Sequence, residues 1–163
     1  MTDIGEYLVG AYLQLIRGCN FVGYNIRSPE KGQKEQYELD VVGIDFNSKT
    51  VFLCEATTHI KGTLYKDNET TVERINNKHE YQKAYYNAYL SNFSNVHFML
   101  WSPYVPKGKI TEELLKLTQL ELIINENYTK NINQLIDLAK NESKDFGNPA
   151  FRLLQIIGHL RKS

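Results

Sequence analysis

The chain has 163 residues, equal numbers of acidic and basic side chains (19 each), 42% hydrophobic and 12% aromatic residues. That length argues for one domain, residues 1–163, with a real core, and the composition excludes disordered, collagen-like and disulfide-stapled classes. Zero net charge excludes a uniformly basic coat for nucleic acid, while leaving room for a local phosphate-binding patch.

The two cysteines, Cys19 and Cys54, stand far apart with no CxxC spacing, so zinc and thioredoxin chemistry have no support. The opening "MTDIGEYLVGAYLQLIRGCN" lacks the basic region and cleavage site of a secretion signal, and no apolar run reaches the ~18 residues of a membrane span. A cytoplasmic protein without membrane contact is expected.

In chain order, Ile4, Leu8, Ala11, Tyr12 and Leu15 recur at spacings of three and four, predicting a helix capped by Thr2 or Asp3 and stopped at Gly18. "CNFVGYNIR" has strand composition, and "SPEKGQKEQ" is a polar loop. "YELDVVGID", the turn "FNSK" and "TVFLCEATTHI" form a predicted hairpin. Alternation puts Glu38, Asp40 and Val42 on one face, and Glu55 on a face with Leu53 and Thr57.

A long helix follows from Glu69 to Leu90, whose residues Ile75, His79, Gln82, Tyr86 and Tyr89 make an inward stripe containing polar groups. "VHFMLWSP" suits a central strand, "KITEELLKL" a helix, "LELII" a short strand, and the tail two more helices. This succession predicts an α/β fold: a central mixed sheet flanked by helices.

Acidic residues amid apolar strands need a counter-charge or a cation, because desolvating a lone carboxylate is costly. Asp40 and Glu55, on neighbouring strands, can converge on a hard divalent ion such as Mg²⁺ or Mn²⁺, able to generate hydroxide and to neutralise charge on a phosphate. They can equally be salt-bridge partners within the fold.

The segment from Ile4 to Trp101 resembles the PD-(D/E)xK nuclease superfamily: "GEYLVGAYL" offers Glu6, "ELDVVGID" Asp40, "FLCEATT" Glu55, and "QKAYY", Gln82 to Tyr86, looks like the QxxxY motif of one branch. The resemblance implies a restriction endonuclease-like α-β-β-β-α-β core with added C-terminal helices. It also implies that Asp40, Glu55 and the Ala56 carbonyl hold Mg²⁺ or Mn²⁺, and that the protein hydrolyses DNA phosphodiesters. The family's lysine, two residues after Glu55, is here Thr57, which carries no charge for the phosphate. Lys83 is the first candidate to replace it, with Lys78 and Lys61 next.

Lys31, Lys34, Lys61 and Tyr86 are candidate DNA contacts, and symmetric cleavage would imply a homodimer. Alternatively the chain is an inactive nuclease-fold module that binds DNA or a protein, a reading Thr57 favours.

Overall fold

The computed structural model describes residues 2–28, 38–60 and 66–161. Among the described residues the expected α/β architecture is present: a five-stranded mixed sheet in the order β1-β2-β3-β4-β5, flanked by five helices. Helix α1 (Ile4–Leu15) precedes β1 (Phe21–Ile26), β2 (Leu39–Asp45) and β3 (Thr50–Ala56), which form an antiparallel meander. Helix α2 (Asn68–Tyr85) closes in a π-helical turn, Tyr86–Leu90, and leads to β4 (Asn95–Ser102). Then come α3 (Lys109–Leu115), β5 (Leu120–Ile124), α4 (Asn125–Ala139) and α5 (Pro149–Leu160). Strands β3, β4 and β5 are parallel, as two strand-helix-strand crossovers require.

Local chemistry explains the boundaries. Asp3 caps α1 by accepting from the Gly5 N–H at 2.8 Å, and Asp67 caps α2 through the Thr70 N–H at 2.7 Å. In the "FNSK" turn Asp45 accepts from the Asn47 N–H at 2.9 Å, a side-chain mimic of a backbone turn. Lys49 takes a positive φ of 51° before β3 starts.

One face of the sheet carries Val41, Phe52, Cys54, Met99 and Trp101 against Leu13 of α1, Leu135 of α4 and Phe151 of α5. The other carries Val42, Ile44, Val51, Leu53 and Phe98 beneath α2, continuing through Leu100 to Ile75, Ile110 and Leu114 of α2 and α3. Burying such side chains contributes roughly 1.5–3 kcal/mol each.

The predicted stripe of α1 is corrected in part: Val9, Ala11, Tyr12 and Leu13 are buried, whereas Ile4 is 46% exposed. Helix α1 is covered by the sheet on one side and by α4 and α5 on another, so its buried surface is wider than a single stripe. Gly10 permits this close layer, since a Cβ there would lie 2.1 Å from the Tyr24 hydroxyl of β1.

Candidate active site

The hairpin register brings the two strand carboxylates together. Val41 pairs with Cys54, so the next step along the antiparallel ladder sets Asp40 opposite Glu55. Both share the face of Val42 and Leu53, the face covered by α2. Asp40 is 7% exposed, and its Oδ2 accepts the Ala56 N–H at 2.8 Å. Ala56, the expected backbone ligand, thus orients Asp40 through its amide.

The cation beside this pair is Lys78. Its Nζ donates to Glu55 Oε1, and the two side chains keep only 20% and 13% exposure. Lys83 is corrected: its Nζ donates to Glu80 Oε1 at 2.8 Å, an i,i+3 contact along the helix. Helix α2 runs back from the carboxyl end of β3, so Lys78 lies more than a turn nearer that end than Lys83.

Three further groups complete the environment. Glu6 of α1 accepts from Asn25 Nδ2 at 3.1 Å, Asn25 itself having a positive φ of 53°. Burial raises the Glu6 pKa above the usual carboxylate range, with the nearby Asp40 charge adding to it. Asp40 is raised as well, first by burial and then by Glu38 and Asp3, while Lys78 and the Ala56 N–H pull it back. Burial pushes the Lys78 pKa down, against the attraction of Asp40, Glu38 and Glu6. Glu38 is anchored by Arg27 at 3.0 Å.

Thr57 donates its backbone N–H to the Trp101 carbonyl at 2.9 Å, extending β3 beside β4. It lines a cavity of about 20 Å³ with Glu55, Lys78, Arg74 and Ser102 over an apolar floor, room for about one water. Gln82 is buried among the strands: Nε2 donates to the carbonyls of Leu53 (3.0 Å) and Met99 (3.3 Å). It fixes the height of α2 over β3 and β4, and therefore where Lys78 meets Glu55. Its neighbour His79 donates Nε2–H to the Thr118 carbonyl at 3.0 Å.

Tyr86 donates its hydroxyl to the Phe93 carbonyl at 2.8 Å and sets its ring edge-on to Phe98, so it belongs to the packing under α2. Lys31, Lys34 and Lys61 lie outside the described residues. Sequence reasoning ranked Lys78 below Lys83 and gave no role to Asn25 or Arg74; only the fold brings these beside the carboxylates.

Among the described residues no three His, Cys, Asp or Glu side chains converge as a metal set. The donors present are hard carboxylate oxygens already facing one cation, the Lys78 ammonium. That chemistry fits an ion which retains waters, as Mg²⁺ does, better than zinc. No described helix is long and apolar enough to cross a membrane. Compared with known proteins, the chain matches no family model, no curated protein and no solved structure.

Proposed function

We propose that this chain is a divalent-metal-dependent DNA endonuclease of the PD-(D/E)xK type, acting in the cytoplasm, in which Lys78 stands in for the motif lysine. The observation that carries the reading is the meeting of Asp40, Glu55 and Lys78 at the carboxyl end of β3, all three largely withdrawn from water. Buried charge of both signs at the ends of two central strands is expensive to assemble and characteristic of functional sites. Asp40 and Glu55 would hold Mg²⁺ or Mn²⁺, which when bound neutralises phosphate charge and lowers the pKa of a water.

The chain's own residues supply the rest. The Ala56 N–H holds Asp40 in one orientation. Lys78, kept charged by Asp40, Glu38, Glu6 and Glu55, presents an ammonium to the phosphate as water bonds to phosphorus and the bond to the leaving sugar oxygen breaks. Glu6 adds negative charge that favours Lys78 in its protonated form.

The test is Mn²⁺- or Mg²⁺-dependent cleavage of duplex, branched and single-stranded DNA. Lys78→Ala should abolish cleavage, and Lys83→Ala should leave it near wild type. The opposite pattern would overturn the assignment of Lys78. Sedimentation with and without DNA tests the homodimer that cutting both strands would require.

A second reading is favoured by one feature: Glu55 is already neutralised by Lys78, and Thr57 leaves the motif position uncharged. In that case the fold binds DNA or a protein without cutting. Retained DNA binding with no Mn²⁺ uptake by calorimetry would select it.

A further inference from the structure

We infer that the groove between loop 103–107 and the first turns of α4 receives one unpaired nucleotide of the DNA strand, its base against Tyr104 and its flanking phosphates against Lys107 and Lys130. The inference rests on the nuclease reading and deepens it by naming an unpaired segment as part of the substrate. The groove encloses about 560 Å³, within the range of small-ligand sites.

Its position follows from the topology. The groove opens at the carboxyl ends of the parallel strands β4 and β5, where open α/β sheets take their ligands. Val105, 2% exposed, is a wall common to this groove and to the cavity beside Glu55 and Lys78. A strand leaving the scissile position has the groove as its next recess.

The lining suits a nucleotide. Tyr104 is 46% exposed, and its mount is rigid. Prolines 103 and 106 bracket it, and Ser102 Oγ donates to its carbonyl at 3.1 Å. The next residue, Val105, is clamped at both backbone groups: its N–H donates to Asn125 Oδ1 at 2.8 Å, and its carbonyl accepts from Asn125 Nδ2 at 3.0 Å. Asn125 holds the positive φ of 53° that this clamp uses, a conformation asparagine tolerates. An aromatic ring held in place loses little entropy when a base stacks on it.

Lys107 and Lys130 are exposed, with no ion pair to another described residue, while Glu126 lines the same groove. The acid opposes a long polyanion track, which fits one nucleotide rather than a run of them. Stacking on a tyrosine face requires a base outside the duplex, hence an unpaired position.

The test measures binding by fluorescence anisotropy in EDTA, where cleavage is silent, to a blunt duplex, the same duplex with a single-stranded overhang, and a single strand. Tyr104→Ala should weaken binding at least five-fold for the overhang and single-strand DNAs and leave the blunt duplex unchanged. Tyr104→Trp should restore affinity to within about two-fold. Lys107→Ala with Lys130→Ala should reduce the salt slope for the single strand by about 1.4.

Unchanged affinity of Tyr104→Ala for all three DNAs overturns the inference, as does failure of the wild type to bind any of them. Cleavage with Mn²⁺ is scored separately on the same DNAs. A Tyr104-dependent overhang preference without cleavage supports the groove and sinks the hydrolytic reading; cleavage indifferent to Tyr104 does the reverse.

Discussion

Replacing Lys78 by methionine keeps an unbranched stem in the cavity lined by Ile75 and Leu100 but deletes the ammonium bonded to Glu55. Breaking a buried pair by removing one partner costs ~3–5 kcal/mol. Side-chain exposures of 20% and 13% let water reach part of this pair, so a loss of about 2–3 kcal/mol at pH 7 is expected. In a domain of this size that corresponds to a melting temperature lower by roughly 5–10 °C. Calorimetry and urea unfolding at pH 7 measure it. Glu55→Gln in the Lys78→Met background should then cost far less than the two changes added separately, because the double variant leaves neither charge stranded.

The acid limb of the same experiment has a defined sign. Asp40 has a folded-state pKa raised chiefly by burial and held back by Lys78. Without Lys78 it rises further, so the native state takes up protons before the unfolded chain does as pH falls. The defect of Lys78→Met should therefore shrink as pH drops from 7 through the raised range of Asp40. A loss under about 0.5 kcal/mol at pH 7, with simple additivity in the double variant, would refute a buried ion pair at this site.

Other expectations follow from the same geometry. Cleavage should rise as Asp40 ionises, above the ordinary aspartate range, and fall as Lys78 loses its proton below the ordinary lysine value, because burial displaces the two pKa values toward each other; pH profiles of wild type and Lys78→Arg, whose alkaline limb should move up, check this. Gln82→Ala should destabilise the fold by about 2–4 kcal/mol in urea unfolding, since the buried carbonyls of Leu53 and Met99 each lose a donor. Lys83→Ala should change stability by less than about 0.5 kcal/mol, as expected for an i,i+3 surface pair, in the same assay.

The pairing of Asp40 with Glu55 was legible because strand side chains alternate strictly and the "FNSK" turn fixes the register; a slip of one residue would have sent one carboxylate to the opposite face. The inward helix stripe was legible in part: Ile75, His79 and Gln82 are buried as its period demands, whereas Tyr89, expected on the same stripe, is exposed because a π-helical turn over Tyr86–Leu90 changes the period there. The exposed Ile4 was not, because periodicity describes a helix with one covered side, and α1 has two.

The cation had no comparable signal. At 100° per residue, Lys78 and Lys83 stand about 70° to either side of the stripe made by Ile75, His79, Gln82 and Tyr86, so helical period treats them alike. What separates them is tertiary. The crossover from β3 to β4 decides which flank of α2 faces the hairpin, and the antiparallel run of α2 against β3 sets its amino-terminal half over the strand's carboxyl end. Gln82, bonded to the carbonyls of Leu53 and Met99, then locks the height. A charge delivered from a helix on a long flexible stem is set by crossover handedness and by a staple between layers, neither of which leaves a mark in residue spacing, whereas a charge delivered from the strand itself would have been written at position 57.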